Sequence, residues 1–123
     1  MVMAKRILIV DDNELMIEVM TYILLGNGYE VASSNRVHEI FRIIKACRPD
    51  LVILDLVNKS MDGRELCRLI KLNRATKNLR VIVCSENEET DDRKSQKGAP
   101  DDVLQKPFGM NSLISKVQLQ LAA

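Results

Sequence analysis

The chain has 123 residues, a formal net charge of +1, and 46% hydrophobic and 28% charged residues. That size suits one domain able to bury a core without metal or disulfide staples, and the near-neutral charge argues against direct nucleic-acid binding or an acidic membrane surface. No apolar run approaches the roughly 18 to 20 residues of a membrane span, and the N-terminus MVMAKRILIV lacks the length and cleavage pattern of a signal peptide. Cys47, Cys67 and Cys84 form no CxxC pair and read as free thiols of a cytoplasmic protein.

The first element in chain order is Ile7-Leu8-Ile9-Val10, which runs straight into Asp11 and Asp12. Such non-alternating apolar runs are what strands buried on both faces look like. Leu15, Met16, Val19, Met20 and Ile23 then recur at three- and four-residue spacing, predicting a helix that Asn13 caps and Gly26-Asn27-Gly28 stops. A weaker strand near Glu30 to Ala32 suits a sheet edge. Val37, Ile40, Phe41 and Ile44 stripe a second helix, with His38 on it as a partly exposed structural histidine. Leu51-Val52-Ile53-Leu54 is the next buried run and ends on Asp55; Leu66, Leu69 and Ile70 mark a third helix. Val81-Ile82-Val83 leads through Cys84 to Ser85.

Residues 86–98, ENEETDDRKSQKG, contain no apolar side chain. A helix there has nothing to bury, so this segment is expected to be the most mobile between the termini. A second weak strand, Asp102 to Gln105, leads into Lys106-Pro107, and Leu113, Ile114, Val117 and Leu121 mark the last helix. The six methionines read as start codon and core filler.

Strands alternating with helices argue for right-handed βαβ crossovers and a parallel sheet covered on both faces, in a single α/β domain spanning 1–123. In such a sheet every strand ends at the same edge, and the site is built there. Asp11, Asp12 and Asp55 are thereby brought together with Ser85 and Lys106. Two carboxylates about 4 Å apart repel by roughly 4 kcal/mol at an effective dielectric of about 20. A hard divalent cation removes that cost, and two or three carboxylates with waters suit Mg²⁺. A carboxylate nucleophile, a cation, a hydroxyl and a lysine together describe phosphoryl chemistry. Singly, each has a plain explanation: Asp11-Asp12-Asn13 as a helix cap, Asp55 as a turn starter, Ser85 as a cap, Lys106 as a surface lysine. Their coincidence at successive strand ends carries the reading.

With those residues assembled, the chain resembles, from about residue 5 to 120, the receiver domain of bacterial two-component response regulators. The motifs are VDD at 10–12, LVILDL with Asp55, MDG at 61–63, Ser85 after the fourth strand, and KPF at 106–108. The resemblance implies a flavodoxin-like (βα)5 three-layer sandwich with a five-stranded parallel sheet of order 2-1-3-4-5. It implies that Asp55 accepts a phosphoryl group from a sensor histidine kinase or histidine phosphotransfer protein. Asp11 and Asp12, with Asp55 and the Val57 carbonyl, would hold Mg²⁺; Ser85 would swing toward the phosphoryl group and Lys106 would pair with it. Output would pass by protein contact through the fourth helix, fifth strand and fifth helix, with no catalysis beyond self-phosphorylation and self-dephosphorylation. The downstream target is open, as is a phosphorylation-dependent homodimer, and so is whether the chain stands alone or is an excised receiver.

Departures from the family pattern cluster on the output side. Val103 stands where the family carries an aromatic, Glu86 replaces a small residue after Ser85, Asn58-Lys59 replace Met-Pro, and Pro100 is an insertion before the fifth strand. Two other readings therefore stand beside a phosphorylated receiver. One is a pseudo-receiver, a protein-interaction module freed of phosphorylation control. The other is an aspartyl-phosphate phosphohydrolase, which needs an acid/base carboxylate two residues after the nucleophile, where Val57 stands.

Overall fold

The structure, a computed structural model, describes residues 4–55, 63–85 and 97–122. Strands β1 (Arg6–Asp11), β2 (Glu30–Ser34), β3 (Leu51–Asp55), β4 (Arg80–Ser85) and β5 (Asp102–Gln105) form one sheet of order β2-β1-β3-β4-β5. Every pairing is parallel, as expected. The strong apolar runs make the interior, where Ile7 to Val10 and Leu51 to Leu54 are fully buried. The weak candidates β2 and β5 take the edges.

Because successive strand residues point to opposite faces, each run feeds two cores. Ile7, Ile9 and Ile53 pack under α1 (Glu14–Gly26) and α4 (Met110–Leu121) with Met20, Leu24 and Leu113. Leu8, Val10 and Val52 pack under α2 (Ile40–Cys47) and α3 (Gly63–Leu72) with Ile44, Leu66 and Ile70. The result is the expected three-layer flavodoxin-like sandwich. Asn13 caps α1 as expected, its Oδ1 accepting from Met16 N at 3.1 Å. The helix stops at Gly26-Asn27-Gly28, where Gly28 takes a φ of 88°. Among the described residues no helix is long and apolar enough to cross a membrane.

Three local expectations are corrected. Leu15 and Val19 are exposed; α1 buries Met20, Ile23 and Leu24, the side chains that lie over the sheet rather than beyond its edge. In α3 Leu69 is exposed and Cys67 is buried in its place. Leu66-Cys67-Ile70 and Leu66-Leu69-Ile70 both satisfy helical spacing, so periodicity alone did not choose the face. His38 lies in a 3-10 turn (Val37–Glu39) ahead of α2 and not on the helix. All three cysteines are free, as expected. Burial pushes the Cys67 thiol up to about 12 and raises Cys47 and Cys84 as well, which makes them poor nucleophiles. The expectations for Val57, for Asn58-Lys59, for Glu86 and for most of 86–98 lie outside the described residues.

Gly98, just before β5, has a φ of 86°, and a Cβ there would meet Arg68 Cγ at 2.7 Å and Arg68 Cα at 3.1 Å. Both the backbone and the space exclude a side chain, so Gly98→Ala is expected to cost about 2 kcal/mol. An unchanged urea midpoint would show that this turn relaxes freely.

Candidate functional site

The register of β1 on β3 sets Asp11 directly opposite Asp55. Both end strands whose preceding four residues are all apolar, and each is only 1% exposed. A carboxylate at the end of a central strand has no water to solvate it, so its partners decide its chemistry. Asp11 Oδ1 accepts from Asn13 N at 2.8 Å, which ties it into the turn that starts α1. Asp11 Oδ2 and Asp55 Oδ2 are buried and accept no hydrogen bond among the described residues.

Lys106 approaches from beyond β5. Its backbone N donates to Ser85 O at 2.7 Å, across the ends of β4 and β5. From there its side chain reaches over the end of β4 to pair with Asp55 Oδ1. The following Lys106–Pro107 peptide bond is cis. Ser85 ends β4 half-buried beside these groups, so the sheet brings Asp11, Asp55, Ser85 and Lys106 to one edge as expected.

Asp12 behaves differently. It is exposed and lines a cavity of about 800 Å³ with Asp11, Lys106, Met16, Phe108 and Met110. Among the described residues no three His, Cys, Asp or Glu side chains gather as a preformed metal group. Sequence reasoning names Phe108 only as part of the KPF motif and reads Met110 as core filler; Met110 is instead exposed and lines this cavity, a correction to that reading. The signal available was their place just past Lys106-Pro107, at the mouth of the sheet edge.

The charges do not balance. One ammonium faces two buried carboxyl groups, and desolvation raises Asp11 to about 7, with the Asp55 charge adding to the rise and the Asn13 N–H opposing it. Burial by itself would lower Lys106, but its hydrogen bond to Asp55 and the Asp55 charge outweigh burial and raise it. Two uncovered carboxylate oxygens beside a deficit of positive charge are a donor set that fits a hard divalent cation.

Residues 7–118 match the family model for the response regulator receiver domain. The chain belongs to that family. The receiver is 32% identical over 121 residues to the DNA-binding response regulator MtrA of Mycolicibacterium paratuberculosis, covering 97% of this chain and 52% of MtrA. It thus spans about half the length of the curated relatives it matches. Among solved structures it resembles the signal receiver domain of a signal transduction histidine kinase from Syntrophus aciditrophicus, with a TM-score of 0.84 and 32% identity over 97% of this chain and 91% of that one. The receiver domain of a sensor histidine kinase from Pseudomonas aeruginosa gives a TM-score of 0.82 at 24% identity, covering 98% of this chain and 100% of that one. That protein has a magnesium ion coordinated in its active-site cleft, and at this identity the likeness to it is one of fold.

Proposed function

We propose that this receiver takes a phosphoryl group onto Asp55 from the phosphohistidine of a partner sensor histidine kinase or histidine phosphotransfer protein, in the cytoplasm, and signals by phosphorylation-dependent protein contact. The observation that carries this reading is the buried Asp55 carboxylate, abreast of Asp11 and ion-paired to Lys106. An Asp55 oxygen attacks phosphorus, the N–P bond to the histidine breaks with its electron pair returning to the imidazole, and an acyl phosphate forms on Asp55. Lys106 offsets charge on the arriving oxygens, and the Ser85 hydroxyl, at the end of β4, donates to one of them. Asp11 and Asp55, with Asp12 at the cavity rim and the Val57 carbonyl, are the groups to hold Mg²⁺, which when bound neutralises phosphoryl oxygens that a single lysine leaves charged.

The family's aromatic position is taken by Val103, half-buried on β5. Phosphorylation therefore changes the output face of this chain without exchange of an aromatic rotamer. No observation favours a pseudo-receiver, since the acceptor, the lysine and the hydroxyl are all present. Val57 in place of a second acid/base carboxylate speaks against hydrolysis of free phosphate esters.

The test is uptake of phosphate from acetyl phosphate, followed by intact mass. A gain of one phosphoryl group that needs both Mg²⁺ and Asp55, and that Asp55→Asn abolishes, is the expected result. No gain from acetyl phosphate, phosphoramidate or a competent kinase would defeat the proposal.

A further inference from the structure

The edge of the sheet opposite Asp55 has a feature that phosphoryl chemistry does not use. α2 has only eight residues, about 12 Å of helix, and ends at the Arg48 cap, three residues before β3 begins at Leu51. Phe41 and Ile44 on α2, with Pro49 and Leu79, floor a cavity of about 660 Å³ that Lys45 and Arg48 also line. Cavities of that size enclose apolar groups well, and Phe41 is 38% exposed, an aromatic only part covered by the chain's own packing.

The charge around this groove is predominantly positive, with Glu39 and the exposed Asp50 just outside the segments that line it. Residues 40–49 and 70–80 contain seven Lys and Arg and no Asp or Glu. Asp101 engages two of them, Lys71 at 2.7 Å and Arg80 at 3.3 Å, and Glu39 engages Arg42 at 3.4 Å. Lys45, Arg48, Arg74 and Lys77 form no ion pair among the described residues. Four unpaired cations at one edge of a chain with a net charge of +1 make a local field that the whole molecule lacks.

Helix dipoles account for Lys45, in the last turn of α2, but not for Arg74 and Lys77, which lie past the end of α3 at Leu72. Arg48, which caps α2 at φ 52°, ψ 59°, also sits where the dipole favours a cation, but its backbone conformation works against an arginine. That left-handed position is the one glycine fills most readily, and an arginine there costs roughly 1 kcal/mol. A strained residue at the mouth of a cavity, with its charge unpaired, points to use of that charge.

We propose that this basic-rimmed groove between α2 and the α3–β4 turn docks an acidic protein segment through one bulky apolar side chain. The apolar floor takes the anchor and the four cations take flanking carboxylates, whose long-range attraction sets the rate of encounter. Nucleic acid fits less well, because Phe41 is the single aromatic of this groove and base stacking needs a series of them. A bilayer fits less well because the apolar surface is concave. The surface lies at the far edge from Asp55, so the proposal holds whether or not Asp55 is phosphorylated.

The experiment is an amide NMR titration of the full chain with a short polyglutamate peptide carrying a central Leu-Phe pair. Expected are shifts centred on Ile44, Thr76 and Leu79, an affinity lowered at least about tenfold in the Lys45→Glu, Arg48→Glu variant, and a similar loss for polyglutamate without the Leu-Phe pair. Arg48→Gly is a second variant that keeps the fold, since glycine suits the cap; it should melt no lower than the parent and still bind more weakly. Absence of binding, equal binding by the charge-reversed variant or by the anchor-free peptide, or shifts centred on Asp11 and Lys106 would each overturn the proposal. So would tighter binding of a single-stranded oligodeoxynucleotide or of phosphatidylglycerol vesicles, or self-association of the unliganded chain through this edge in sedimentation.

Discussion

Replacing Lys106 with methionine is expected to cost about 3 kcal/mol of folding stability at pH 8 in the absence of divalent ions. Methionine keeps an apolar stem of similar length, so the loss isolates the charge. In the intact chain the Lys106 ammonium is the one cation paired with Asp55 among the described residues, and its side chain is only 16% exposed. Without it, Asp55 and Asp11 face each other at 1% exposure with no cation among the described residues to offset them and only the Asn13 N–H on Asp11. Breaking a buried pair by removing one partner leaves an uncompensated buried charge, which is costlier than losing the attraction alone. The cost should shrink toward pH 5, where Asp11 takes a proton and one of the two facing charges is removed. Urea melts at both pH values, with a double-mutant cycle against Asp11→Asn, measure this. A loss under about 1 kcal/mol at pH 8 would place the pair among ordinary surface bridges.

The second large effect is on pH. Asp11 is raised from 3.8 to about 7 by burial and by Asp55. Between those values the folded chain holds a proton that the unfolded chain has released, so stability falls as pH rises through the window and levels off above it. The deficit from this group is at most about 4 kcal/mol. Lys106 acts with the opposite sense but elsewhere: raised above its ordinary value, it contributes stability that is whole below about 10.5 and lost only as pH climbs past its folded value. In the presence of a chelator the thermal midpoint should therefore drop from pH 5 to pH 8, and Asp11→Asn should flatten that slope. Saturating Mg²⁺ should raise the midpoint at pH 8 in the parent, because an ion that binds only the folded state stabilises it by mass action. Equal pH profiles for parent and Asp11→Asn would refute the charge deficit.

These effects separate what one-dimensional information determines from what it does not. Apolar runs of three or four residues identify the three central strands, because a strand buried on both faces has no tolerance for polar interior positions. Their shared edge follows from parallel pairing alone, so the meeting of Asp11, Asp55, Ser85 and Lys106 was legible, as was the edge placement of Glu30–Ser34 and Asp102–Gln105. Helix faces were less legible. Periodicity admits neighbouring faces equally, and only the position of the sheet chose Cys67 over Leu69 and left Leu15 and Val19 exposed.

The exposure of Asp12 beside the burial of Asp11 was likewise decided in three dimensions, since β1 ends at Asp11 and Asp12 lies just past it on the open cavity. So was the reach of Lys106 across β4, fixed by the bond from its N–H to Ser85 O. The groove beside Arg48 belongs to the same class, because it depends on where an eight-residue helix stops relative to the sheet beneath it. Local composition determines which segments are buried and what chemistry their ends carry; distances between segments, and hence which charges must compensate one another, exist only once the sheet has assembled.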